Sequence, residues 1–170
     1  MNEVLVRWNQ ASEADAVREI MPCCGSKSWA QRLTDRRPVS SEASLLTASD
    51  QIWRTLPSSD WLEAFHSHPR IGESSGKAPV GSQSTSWSLE EQGQVTTATD
   101  TVKADLADAN RVYEEKFGHI FIVCATGKSA AEILAILRLR MQNDGTTELR
   151  EAAEEQRQIT QLRLRKWLGI

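Results

Sequence analysis

The chain has 170 residues, 39% hydrophobic and 25% charged, which is enough for one globular domain with a substantial core and excludes a disordered chain. Its 20 Lys and Arg against 23 Asp and Glu give a net charge of −3, mixed along the sequence with no basic arm or patch, which argues against nucleic acid as a partner. No apolar run reaches the length of a membrane span, residues 1–20 lack a signal-peptide core, and the C-terminal K-W-L-G-I is not a peroxisomal tripeptide, so the expectation is a soluble cytoplasmic protein with no membrane partner.

In chain order, Ser12 precedes E-A-D-A-V-R-E-I-M and Pro22 closes that segment, a helix start followed by a stop. S-W-A-Q-R-L-T-D-R makes a short second helix before Arg37-Pro38. Apolar residues recur at helical spacing from Ser41 to Leu56, and Pro57 ends that run. Ser59 then caps D-W-L-E-A-F-H, which leads directly into S-H-P-R-I-G, where Pro69 pushes His68 toward an extended conformation. Residues 72–86 form a Gly/Ser-rich loop, long for a plain connection. Helices resume at Ser88 and run, with a break near Thr96–Thr99, to Phe117, where Gly118 terminates them. H-I-F-I-V-C-A-T-G has the composition of a strand but no partner strand, so it is either a lone extended segment or the entry to a buried helix. An amphipathic helix spans Ser129 to Asn143, Asp144-Gly145 turns, and a long charged helix runs from Thr147 to Leu168. The expected class is all-α: residues 1–170 as a single-domain, compact multi-helix bundle with one short extended segment.

The histidines of F-H-S-H-P-R-I-G invite three readings. A metal pair would need further ligands from other strands, and only His119 remains. A histidine at a helix C-terminus favours the macrodipole and bonds the last carbonyls, which suits His66. His68 is pulled off the helix by the proline and aimed at the loop, where an imidazole can exchange a proton near neutral pH. On spacing alone, catalysis and decoration stand level for His68. Ser88 and Glu91 in S-L-E-E-Q make an S-x-x-E capping box, a structural reading that outweighs the ligand site also possible at such a helix N-terminus. A-T-G-K-S at 125–129 imitates a phosphate-binding loop, but Ile122 stands where its first glycine belongs. Arg163 and Arg165 lie two apart on the last helix and cannot share a face; either is ordinarily solvated, or turns inward to fork a carboxylate. Cys23 and Cys24 are adjacent, the wrong spacing for a zinc or redox pair, and Cys124 lies in an apolar run. None is assigned to catalysis, and a reducing compartment fits three cysteines best.

Taken in order, W29…L33…R37-P38, D60-W-L-E-A-F-H-S-H-P-R-I-G72, W87-S-x-x-E-Q92, Y113-x-x-K-F-G-x-x-F-I-V-C-A125, I-L-x-x-L-x-x-R140-x-x-N143 and E155-Q-x-x-I-T-x-L-R-L164 resemble the 2-oxo-4-hydroxy-4-carboxy-5-ureidoimidazoline (OHCU) decarboxylases of urate degradation. The likeness covers nearly the whole chain, and H-P-R-I-G followed by S-x-x-E-Q is its specific part. The resemblance implies an all-helical enzyme with neither metal nor organic cofactor that converts OHCU into (S)-allantoin and carbon dioxide, often as a homodimer. It implies His68 as the catalytic acid/base, with Glu91 and Arg163 also functional. Pro69, Ser88, Gln92 and the backbone of Phe121, Ile122, Val123, Cys124 and Ala125 are implied as substrate contacts. One departure falls between Gly118 and Phe121, where the family has an aromatic residue and a proline and this chain has His119-Ile120, which is expected to leave the extended backbone less fixed. Two further classes remain: a lyase for a related ureido acid on the same scaffold, and a non-enzymatic helical interaction module built on the last helix.

Overall fold

The computed structural model describes residues 2–72 and 83–170, and ten helices lie among them. They are α1 (Glu3–Gln10), α2 (Glu13–Cys24), α3 (Lys27–Thr34), α4 (Glu42–Thr55), α5 (Ser58–His66), α6 (Gln83–Glu91), α7 (Gly93–Thr96), α8 (Asp100–Phe117), α9 (Ala130–Arg140) and α10 (Gly145–Leu168). The all-α class holds, with no strand among the described residues. The chain falls into two compact units, Met1–Ala64 with Arg157–Ile170, and Phe65–Gln156, whose boundaries lie inside α5 and α10.

Polar residues start these helices for a common reason. The first turn of a helix has unpaired N–H groups, and a short polar side chain just before it accepts from them. Asn2 does so for Val4 and Leu5, Ser12 for Asp15, Ser26 for Trp29, Ser41 for Ser44 and Thr99 for Val102. Ser129 and Glu132 form a complete capping box on α9. Gly118 closes α8 in the left-handed region at φ 76°, its N–H bonded to the Glu114 carbonyl at 2.8 Å.

Several expected boundaries move: α9 ends at Arg140 rather than Asn143, α10 starts at Gly145 rather than Thr147, and α1 answers to no expected element. Pro22 does not end its helix: α2 continues through it to Cys24, and Gly25 at φ 90° closes it. Proline forfeits one hydrogen bond in the last turn, while two more helical residues place Cys23 and Cys24 at 0% exposure, so burial outweighs the local signal. Ser59 is not a cap; α5 begins at Ser58, and the Pro57 carbonyl accepts from Asp60 and Trp61. Ser88 does not start a helix either, because α6 already runs from Gln83 and Ser88 lies inside it, 2% exposed. The capping box expected of Ser88 and Glu91 is therefore absent. Residues 73–82, most of the expected loop, lie outside the described residues.

The first unit is built around tryptophans. Trp8 packs edge-on against Trp167 with ring centroids 5.9 Å apart, and its Nε1 donates to the Ala16 carbonyl at 3.0 Å. Trp29 donates to Ser49 Oγ at 3.2 Å, so both of these buried indole N–H groups have an acceptor. Arg37 closes the C-terminus of α1: its Nη1 donates to the carbonyls of Trp8 at 2.6 Å and Ala11 at 2.8 Å. The Arg37-Pro38 element of the family pattern is thus a structural clamp. Later in α10, Arg157 and Gln161 bond Asp50 of α4 at 2.9 and 2.7 Å.

In the second unit, α8 and α9 enclose an apolar cluster that includes Leu106, Tyr113, Phe121, Val123, Ile133 and Leu137. Phe121 to Ala125 is a non-helical segment, 2–6% exposed, part of it in that cluster, and none of the described residues forms a strand beside it. No helix among the described residues is long and apolar enough to cross a membrane.

Candidate active site

A buried segment that is neither helix nor strand must satisfy its N–H and C=O groups by other means, because an unpaired buried amide or carbonyl costs about 1–3 kcal/mol. At Ile122 and Cys124 side chains do it. Arg140 Nη1 donates to the Ile122 carbonyl at 2.7 Å, Lys128 Nζ to the Cys124 carbonyl at 2.7 Å, and the Cys124 N–H donates to Glu155 Oε2 at 2.6 Å. Arg140 is held by Glu148, itself 0% exposed, through Nε at 2.8 Å and Nη2 at 2.5 Å. Glu148 also accepts from Tyr113 and, at 3.0 Å, from Asn143 Nδ2. Burial, then the bond to Glu148, pushes the Tyr113 hydroxyl's pKa far up, so it stays a donor. Arg140 lies over the Phe121 ring, 4.6 Å from its centroid. In place of an aromatic–proline pair, His119 is 8% exposed among Phe65, Tyr113 and Phe117, and its Nδ1 pairs with the Ile120 carbonyl at 3.0 Å.

The H-P-R-I-G block is tied down in the same manner. His66 occupies the exposed last turn of α5, the decorative position. His68 lies past the helix end, half-buried, and its Nε2 is 2.6 Å from Oε1 of Gln156, which is 0% exposed. Pro69 follows, also half-buried. Arg70 forks Glu114 of α8 at 2.5 and 3.0 Å, and Asn110 Nδ2 donates to the Ile71 carbonyl at 3.0 Å. Gly72 takes φ 85°, a conformation that favours glycine, and donates its N–H to Gln92 Oε1 at 3.1 Å.

Two consecutive residues of α10 therefore hold two parts of the site, Glu155 the extended segment and Gln156 the imidazole. Glu91 joins them electrostatically. Burial comes first in raising the Cys124 thiol pKa, with Lys128 opposing and the charges of Glu155 and Glu91 adding to the rise. His68, Pro69, Ser88, Glu91, Gln92 and residues 121–125 thus all belong to the Phe65–Gln156 unit, although both polar backbone groups of Cys124 already have side-chain partners. Arg163 belongs to the other unit, where it is 1% exposed and its Nη1 donates to the Pro22 carbonyl at 3.2 Å; Arg165 is exposed. A-T-G-K-S is a turn at Gly127 leading into the Ser129 cap. Among the described residues, no three His, Cys, Asp or Glu side chains are grouped as metal ligands would be.

Sequence reasoning missed Gln156, Glu155, Arg70 and the Arg140–Glu148 pair as parts of this arrangement. One signal was present: Arg140 falls on the helical face of Ile133 and Leu137, an unusual place for a charge unless it is paired.

The family model of the OHCU decarboxylases matches residues 9–165. The chain belongs to the OHCU decarboxylase family. It is similar to a crystal structure of an OHCU decarboxylase in the presence of (S)-allantoin, at 33% identity and a TM-score of 0.76, covering 89% of this chain and 98% of that one. Among curated relatives, the uric acid degradation bifunctional protein TTL of Arabidopsis thaliana is 38% identical over 85% of this chain and 44% of its own length. The bifunctional protein of Bacillus sp. is 28% identical over 95% of this chain and 32% of its own length. The chain thus spans less than half the length of these two relatives. A 2-oxo-4-hydroxy-4-carboxy-5-ureidoimidazoline decarboxylase of Haloferax volcanii is 26% identical over 93% of this chain and 90% of its own length.

Proposed function

We propose that this chain decarboxylates OHCU to (S)-allantoin and carbon dioxide, without metal or organic cofactor, as a step of urate degradation in the cytoplasm. The observation that carries the reading is the joint placement, within one unit of an OHCU decarboxylase-family chain, of His68 on buried Gln156 and of the Phe121–Ala125 segment on Glu155. The chemistry needs no external electron sink. When the C–C bond to the carboxylate breaks, its electron pair moves into the adjacent ring C=N, and the nitrogen takes up a proton. The hydroxyl then loses its proton as its carbon becomes a carbonyl, and the ureido-bearing carbon gains one. The protein's tasks are to hold the ring and to deliver that last proton to one face.

In this proposal His68 is the acid/base and Glu91 acts with it at the hydroxyl and carboxylate. Pro69, Ser88, Gln92 and the 121–125 backbone contact the ring and ureido group, which present donors and acceptors together. The Gln92 oxygen already accepts from Gly72, so its amide nitrogen is the group assigned to substrate. Arg163 is assigned to ring-carbonyl or carboxylate oxygens on the resemblance alone. Residues 1–170 act as one OHCU decarboxylase-like domain, and the homodimer belongs to the same reading, checked by light scattering on the eluting protein.

Circular dichroism of the allantoin formed tests the activity. OHCU is generated freshly from urate by uricase and hydroxyisourate hydrolase, then given this protein. A rapid (S)-allantoin signal is the expected result. Racemic product forming no faster than in a blank overturns the proposal and turns attention to a related ureido acid.

A further inference from the structure

We propose that Gln156 is the positioning residue of His68: its buried carboxamide oxygen holds the imidazole's hydrogen on Nε2 and sets the orientation of the ring. The inference rests on the assignment of His68 as the acid/base. Gln156 is 0% exposed and places Oε1 2.6 Å from Nε2. A carbonyl oxygen only accepts, so Nε2 must donate, and a neutral imidazole with hydrogen on Nε2 has its lone pair on Nδ1. Held at Cβ by the chain and at Nε2 by Gln156, the ring is fixed at both ends.

The identity of the partner matters as much as its position. Glu155, the preceding residue, presents a carboxylate to the Cys124 N–H, while Gln156 presents a neutral amide to the imidazole. A carboxylate at 156 would stabilise the imidazolium and keep the ring charged to higher pH. Arg70, two residues beyond His68, is paired with Glu114 of α8, and the charge of Glu91 acts on the Cys124 thiol. The neutral amide orients the ring without adding a charge to this set.

Long-range proton–nitrogen spectra of labelled protein read the tautomer directly, and kinetics on the same preparations read its effect. The neutral His68 is expected as the Nε2–H form. Gln156→Leu is expected to lose that preference and to lower kcat by up to about a hundredfold while KM changes little, as misorientation of a reacting group does. Gln156→Glu keeps an acceptor in place, and is expected to retain the tautomer while raising the pH at which His68 titrates. Gln156→Asn, too short to reach, replaces the leucine variant if that one does not fold. An Nδ1–H tautomer in the wild type overturns the proposal, as does full kcat in a folded leucine or asparagine variant. His68→Ala in the same assay separates the two ideas. If it is inactive while Gln156→Leu is fully active, only the positioning role falls; if it is fully active, the acid/base assignment falls.

Discussion

His68 and Glu91 differ in what a substitution reveals. On the proposed acid/base role of His68, removing the imidazole deletes the proton exchange, so His68→Ala is expected to lower turnover roughly a hundred- to ten-thousandfold with the far-ultraviolet spectrum unchanged. A loss of only a few-fold in the allantoin assay would remove it from the acid/base role. For Glu91, the structure simplifies the experiment. With Ser88 inside α6, Glu91 closes no capping box, and Glu91→Gln changes a charge without touching a helix start. A folded but inactive Glu91→Gln protein is the expected outcome, and near-normal turnover would assign the carboxylate a passive role.

The extended segment shows why an element is more than its residues. Its carbonyl at Ile122 depends on Arg140, and Arg140 depends on Glu148, which is fully buried and also serves Tyr113 and Asn143. Truncating one member leaves the others' polar groups buried and unpaired, so Glu148→Ala is expected to cost about 3–5 kcal/mol, measured by denaturant unfolding. Leu at 148 combined with Met at 140 should recover part of that loss by removing both charges together. Helix starts give a pH dependence of definite sign. The Ser129 backbone and side chain hold the Glu132 carboxyl below its usual range, and the Thr147 backbone does the same for Asp144. A depressed folded-state pKa adds stability that is complete above the ordinary carboxylate value and is lost as pH falls through the folded one. Denaturant midpoints should therefore decline from the ordinary carboxylate range downward, and Asp144→Asn should flatten that decline.

At the scale of the molecule, the three cysteines report on integrity. All are buried, and burial raises the Cys24 thiol to about 12 and that of Cys23 further. A thiol kept protonated and enclosed is a poor nucleophile, so an aromatic disulfide reagent should label none quickly in the native protein and all three in guanidinium. Rapid native labelling of one cysteine would place a local opening at its helix or segment. How much of this architecture was readable beforehand follows from range. Ser12, Ser41, Gly118 and Ser129 act on amides and carbonyls a few residues away, so the helices they bound were legible. Pro22, Ser59 and Ser88 misled because their neighbourhoods were decided by burial or by an earlier start. The H-P-R-I-G block was legible as a pattern, and His66 was separable from His68 by the proline. The 2.6 Å contact between His68 and Gln156 joins positions 88 apart, and no local rule reaches that far.

One consequence of the unpartnered segment concerns how such a site can change. The ladder of a β-sheet is drawn in main chain, so among single replacements only a proline erases a rung. Around residues 122–124 the rungs are Arg140, Lys128 and Glu155, so each is open to revision by one codon. A lineage can retune this segment bond by bond, without rebuilding the scaffold that surrounds it.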